Sequence, residues 1–284
     1  MITYTVQYYF KVLGVVKMAN DDKNHFIERL VAFIDILGFR HTVESKPEYR
    51  GIILSALMEL NSIREHHYEH VELLKDIGRE AEQVFPYGKT NYQQEITTFS
   101  DHIVISIPWE QEGRVAKLIN AVITVHERLL SLGLPLRGGI SKGWLYHHNN
   151  IVFGEALLKA YDLESKMAKY PRVIFDPELT PELARIVSAP KYGPETYEAY
   201  MIQQYIQKDR QDDYFFLDHL QAANDLYGDL PWDYEYHFKQ IRIMILDMLK
   251  SDNPGIQGKG NWFSNYFNQS LRNAIHMEIE PIKA

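Results

Sequence analysis

Apolar and polar positions follow two rhythms along this chain. Residues 28–37, ERLVAFIDIL, form a β-rich apolar run too short for a helix of its own and predict a strand. After Pro47 the apolar positions of 46–74 recur at helical spacing and predict a helix. Residues 76–92 are polar, carry Gly78, Pro86 and Gly88, and read as a loop. QEITTFSDHIVISIP (94–108) predicts two short strands around a tight turn at Ser100–Asp101. Residues 112–133 form an amphipathic helix closed by Gly133, its Val, Leu and Ile face most simply core. A strand follows at 134–147, then a short strand and a helix from about Gly154 within 149–170, then a strand at 171–179.

The order between 29 and 176 is therefore β-α-β-β-α-β-(β)-α-β. Its first six elements are the ferredoxin-like arrangement of the α+β class, an antiparallel sheet with helices on one face. From about 177 the texture changes. One strand is expected in 213–220, with helices over 235–251 and 258–276, the last rich in aromatic residues. The division read from this is an N-terminal extension (1–25), a core domain (26–180) and a mostly helical C-terminal region packed on the core (181–284). Residues 1–17 lack the basic start and clean apolar stretch of a signal peptide and are expected to lie outside the core, with Met18 as a natural beginning. No repeat or low-complexity tract interrupts the pattern.

Composition narrows the chemistry. The 284 residues carry a net charge of −8, so the bulk field does not attract nucleic acid, and no DNA partner is expected. An anionic substrate would need local help, most simply a metal ion. No cysteine is present, which excludes disulfides, thiolate metal sites and a cysteine nucleophile, and fits a cytoplasmic setting. No run of 18 apolar residues is present, so no membrane span is expected.

One residue breaks the first strand's pattern. Asp35 is a carboxylate within an apolar run, and a carboxylate taken from water needs a partner. In the predicted topology strand 1 and the turn between strands 2 and 3 lie side by side, which makes Asp35 and Asp101 neighbours. Two close carboxylates raise one another's pKa, whereas divalent cations stabilise both as anions. Hard oxygen ligands suit Mg²⁺ or Mn²⁺, and two such ions are the core of two-metal phosphoryl transfer. The plainer alternative is that Asp35 caps a turn and Asp101 makes a hairpin.

FIDILGF (33–39), TFSDHIVIS (98–106), LRGGISKG (136–143) and IVFGEALLKAYDLES (151–165) occur in this order. Together they resemble the catalytic domain of class III nucleotidyl cyclases over roughly half of the chain. The resemblance implies that Asp35 and Asp101 bind two Mn²⁺ or Mg²⁺ ions, with the Ile36 carbonyl reaching one of them. It implies that the turn through Gly38 holds a triphosphate by backbone N–H groups, with Phe39 against the nucleotide. The residues that read a purine base in the family fall on Thr97 and Ile151, and neither is the Lys/Asp pair of adenylate cyclases. The Asn and Arg that orient the ribose and stabilise the transition state fall on Leu158 and Asp162, leaving Arg40, Lys142 and Lys159 as replacement cations. Arg137 reads as a structural residue at a strand end.

These departures, the short first motif and the extra C-terminal region are similar to the pyrimidine cyclases of Pycsar antiphage systems. That resemblance implies conversion of UTP, or else CTP, to cyclic UMP or cyclic CMP, and a separate effector that the product activates. It further implies a homodimer with the active site at the interface. An adenylate or guanylate cyclase with unusual selectors stays open, as does a silent nucleotide sensor on the same fold. His66, His67 and His70 lack the glutamate of a zinc-helix motif and read as solvated helix surface. Residues 146–150, YHHNN, read as a polar hairpin turn.

Overall fold

The computed structural model describes residues 26–51, 53–58, 94–189, 195–227, 231–271 and 279–283. The predicted extension, the predicted helix beyond residue 58, the whole 76–92 loop, and His66, His67 and His70 lie outside the described residues. Strand β1 (Phe26–Ile36) is followed by a short helix α1 (Phe39–Ser45) and by helical residues at 49–51 and 53–58. Strands β2 (Glu95–Phe99) and β3 (His102–Pro108) form the predicted hairpin, and helix α2 (Arg114–Leu130) leads into β4 (Leu136–His148). The sheet runs β2-β3-β1-β4, which is the ferredoxin-like strand order.

β1 is central because it pairs antiparallel with β3 on one edge and with β4 on the other. Its alternate residues face different layers. Leu30, Ala32, Ile34 and Ile36 join the main core, which α2 closes with Val115, Leu118, Ile119, Val122 and Val125. Val31 and Phe33 face a thinner layer containing Leu145, Ala156 and Ala160. The apolar run around Asp35 thus reflects a strand covered on both faces, and Asp35 points to the thinner one.

Strand β5 (Ile151–Gly154) returns along β4 through a turn in which Asn149 and Asn150 have φ of 50° and 63°. Asparagine tolerates this left-handed region, which suits a tight hairpin. Helix α3 (Glu155–Asp162) then runs into a π-helical turn (Leu163–Met167), so the predicted helix is shorter and changes pitch before its end. The close approach of this segment to the sheet depends on Gly139. A Cβ there would lie 2.5 Å from the Ala160 carbonyl oxygen and 2.5 Å from the Leu163 Cβ.

Strand β6 (Val173–Phe175) runs parallel to β4. Beyond it, α4 (Thr180–Val187) and α5 (Glu195–Tyr205) lead to β7 (Ile206–Lys208) and β8 (Phe215–Leu217), which extend the sheet as β6-β8-β7. The C-terminal half therefore contributes strands as well as helices. Helices α6 (His219–Tyr227), α7 (Pro231–Leu249) and α8 (Pro254–Leu271) pack Phe238, Ile241, Ile245, Phe263 and Phe267 against Ile174 and Phe216. Arg172 anchors this layer: it is fully buried, ion-paired with Asp209 and Asp212, and set against the rings of Tyr170, Phe216 and Trp262. Trp262 donates from Nε1 to Asp209 at 2.7 Å.

The same interface buries His126 of α2 and His219 of α6 with rings stacked at 3.8 Å. Burial, and then His237, holds the His126 pKa down to about 3. Burial also holds His219 well below its usual range, with His126 and His237 adding to the effect. A depressed histidine means that the fold binds fewer protons than the unfolded chain below about pH 6.5. Its stability is complete above that pH and is lost as pH falls toward 3. His126→Phe keeps a ring without a titrating nitrogen. Between pH 7 and pH 4 the wild-type Tm is expected to drop about 5 °C or more further than that of the variant. Parallel Tm–pH curves would place the acid sensitivity elsewhere.

Candidate metal and nucleotide site

The β-ladder sets one charged row across three strands. Asp35 stands opposite His102 on β3 and opposite Arg137 on β4, and directly opposed residues share a face. Asp101 joins them from the β2–β3 turn, where Ser100 has a φ of 57°. The Ile36 N–H donates to the Asp101 carbonyl at 2.9 Å and ties that turn to the end of β1. Asp35 and Asp101 are thus neighbours through backbone pairing alone.

Their ligand atoms and those of His102 lie within 4.8 Å of one another, the one such group among the described residues. His102 Nδ1 is 3.2 Å from Asp101 Oδ1, and its Nε2 is 3.9 Å from Asp35 Oδ1. Two carboxylates with an adjacent imidazole fit a divalent ion that prefers oxygen and accepts nitrogen, such as Mn²⁺. The other oxygen of Asp35 accepts from Arg137 at 3.2 Å. Arg137 also ion-pairs with Glu164 of the π-helical turn. Burial raises the Glu164 pKa, with Arg137 opposing the rise and Asp35 adding to it. Arg137 is at a strand end, as expected, but it also bridges Asp35 to a buried glutamate that the sequence pattern did not single out.

Two cavities flank this row. One, of about 1060 Å³, is lined by Phe33, Phe99, His102, Tyr161, Thr97 and Ile151, among others. It brings the two expected base-reading positions together beside His102. The second, of about 640 Å³, lies between the Leu37–Gly38 turn and α7–α8, and Lys46 and Lys259 line it. Gly38 has φ +76°, and its carbonyl accepts from the N–H of Thr42 at 3.0 Å and from its hydroxyl at 3.1 Å. Phe39 is half-buried and packs against the main core.

The expected replacement cations are placed differently. Lys142 is 3.4 Å from Glu28 and stands over the Trp109 ring, opposite Leu30 and so roughly 17 Å along the strand from Asp35. Lys159 pairs with Glu155 and Glu178, and Arg40 is exposed at the start of α1. Leu158 is 67% exposed, and Asp162 pairs with Lys166 on the outer side of α3. Besides Arg137, Lys259 of α8 lies within electrostatic reach of Asp35 and Glu164. Its pKa is lowered, first by burial and then by Arg137, while Asp35 and Glu164 pull it upward. Gly260 lets α8 lie close to α7, since a Cβ there would come within 3.0 Å of the Met248 Cβ. The run GKG was visible in the sequence, but nothing local linked it to a site more than 150 residues earlier.

No family model matches the chain, and no curated protein matches it. Among solved structures, a bacterial light-regulated adenylyl cyclase aligns over 77% of this chain and 98% of its own, at 15% identity and a TM-score of 0.38. Among the described residues, no helix is long and apolar enough to cross a membrane.

Two outcomes test this site. Asp35→Asn and Asp101→Asn are each expected to weaken Mn²⁺ binding, followed by the free-ion EPR signal, with Tm little changed; unaltered binding in either removes that residue from the centre. Gly139→Ala should cost about 1–3 kcal/mol in chemical denaturation, because the π-helical turn must move off the sheet.

Proposed function

We propose that the protein is a metal-dependent pyrimidine nucleotide cyclase, converting UTP, or less readily CTP, to the 3′,5′-cyclic nucleotide and pyrophosphate. The observation that carries this reading is the convergence of Asp35, Asp101 and His102 at the edge of an aromatic-lined cavity that also holds Thr97 and Ile151. The cavity gives a base an apolar wall, and the carboxylates stand where a triphosphate needs cations.

In this reading the ribose 3′-oxygen attacks the α-phosphorus, the bond from that phosphorus to the α–β bridging oxygen breaks, and pyrophosphate leaves. Asp35 and Asp101 would hold the divalent ions, with the Ile36 carbonyl beside them; Mn²⁺ or Mg²⁺ bound there would lower the pKa of the 3′-hydroxyl, whose proton leaves to solvent, and offset phosphate charge. Ile36 fixes the Asp101 turn through its N–H, and Arg137 orients Asp35. Lys259 lines the cleft beside the Gly38 turn and supplies positive charge for the β- and γ-phosphates. A second copy of the chain covers the exposed apolar rim of the base cavity, where Phe99 and Ile151 stand out from the surface. The cyclic product then serves as a signal to a separate effector in antiphage defence.

Purified protein incubated with Mn²⁺ and each NTP in turn, with products identified by mass, is expected to yield cyclic UMP first and cyclic CMP second. Cyclic AMP or GMP as the sole product would refute the pyrimidine assignment, and no turnover of any NTP would refute the cyclase. Asp35→Ala and Asp101→Ala should reduce turnover to background, and Lys259→Ala should raise KM about tenfold or more.

A further inference from the structure

The charged row beside Asp35 holds a nitrogen where the sequence pattern calls only for oxygen. The ligand set implied by the sequence resemblance is Asp35, Asp101 and the Ile36 carbonyl, all hard oxygen donors. His102 adds an imidazole to that set. The ladder fixes its place, directly opposite Asp35 on the same face. Its ring packs against Phe33, two residues before Asp35 on that face, with centroids 5.1 Å apart and planes tilted by 37°. Phe33 thus limits how far the imidazole can turn away from the carboxylates.

Each carboxylate turns one oxygen to this ring. Asp101 Oδ1 lies 3.2 Å from Nδ1, and Asp35 Oδ1 lies 3.9 Å from Nε2. The other oxygen of Asp35 is taken, since Oδ2 accepts from Arg137 at 3.2 Å. The Asp35 oxygen left for an ion is therefore the one that faces His102. The contact to Asp101 is longer than the about 2.7–2.9 Å of a charge-assisted hydrogen bond, and the contact to Asp35 is too long for any. An ion bound at roughly 2.2 Å holds adjacent octahedral ligands about 3.1 Å apart, so small side-chain adjustments bring these three atoms onto one ion. The side chains of His102 and Asp101 are 35% and 33% exposed, which leaves the remaining coordination positions open to water or a substrate oxygen.

We infer that His102 is a metal ligand of this centre, and that its nitrogen makes the centre select Mn²⁺ over Mg²⁺. The inference deepens the metal-dependent reading of the site and rests on it. Mg²⁺ demands near-ideal octahedral geometry, favours oxygen and gives up its waters reluctantly, so exchanging one of them for an imidazole gains it little. Imidazole suits the first-row transition ions, and Mn²⁺ is the one among them that also keeps a preference for carboxylate and water. Of the two ions that the carboxylates alone would accept, the nitrogen favours Mn²⁺.

The test is Mn²⁺ binding to the full chain without nucleotide, followed by EPR. An imidazole nitrogen bound to Mn²⁺ modulates the electron spin echo, and isotopic labelling of histidine nitrogen alters that modulation. Wild type is expected to show it and, in competition, to bind Mn²⁺ about tenfold or more tighter than Mg²⁺. His102→Phe keeps a ring against Phe33 and removes the nitrogen. It should abolish the modulation, weaken Mn²⁺ about tenfold or more and leave Mg²⁺ within about threefold of wild type. His102→Gln offers a carbonyl oxygen instead and should bring the two ions within about threefold of each other. A structural role alone would weaken both ions together and leave their ratio intact. Mn²⁺ bound without nitrogen modulation, a ratio that His102→Phe leaves unchanged, or no Mn²⁺ binding overturns the inference. Nitrogen-coordinated Mn²⁺ in a protein that turns over no NTP supports it and defeats the cyclase reading instead. Turnover with an ion held by oxygen alone overturns it and leaves the cyclase standing.

Discussion

Strand β1 is paired along both edges, and that double pairing is the constraint from which the rest of the structure follows. With β3 and β4 hydrogen-bonded to it, no residue of β1 can slip by one without turning its core side chains to the wrong layer. The register therefore fixes which residue of β3 and which of β4 flank Asp35. His102 and Arg137 sit there because the ladder puts them there, before any charge attracts them. Electrostatics then acts on an arrangement already made: Arg137 faces two acids, and Glu164 is held in a layer thin enough to leave Asp35 accessible.

Much of this could be read from the sequence, for reasons that differ by element. The strands and α2 announce themselves because their side chains alternate or recur with the period of the backbone, and the strand order follows from connection rules. The closeness of Asp35 and Asp101 was legible because it is a property of topology and needs no side-chain detail. The presence of the last two helices was also legible, although each begins four residues before its expected start, at Pro231 and Pro254. The change of pitch after Asp162 was hidden, since a π-helical turn uses the same residue types as the α-helix it continues. Strand β8 lies within the strand expected at 213–220, whereas β7 was hard to see because it is three residues long, too few to show alternation.

The site residues that escaped the sequence share one property: each acts across a distance that no local pattern encodes. His102 sits next to Asp101 and could have been noticed, yet only pairing with β1 makes it a potential ligand. Glu164 was not singled out in the sequence and is buried because Gly139 admits the turn that carries it. His147 was read with its neighbours as part of a polar turn. The turn itself is at Asn149 and Asn150, while His147 is still within β4 and points inward to Ser106. A period-two count from Leu145 would have placed it on the covered face.

The anchoring of α8 bears on how the protein is made. Arg172 meets its aspartates and the Trp262 ring only when strands 206–217 and the last long helix are all in place. On a ribosome the chain emerges from its N-terminus, so β1 to β4 can pair while α8 is still being synthesised. At that stage the carboxylates are already neighbours and Lys259 does not yet exist in the folded part. Asp35, Asp101 and Arg137 can thus be assembled before Lys259, the distant cation carried by the last long helix, has been synthesised.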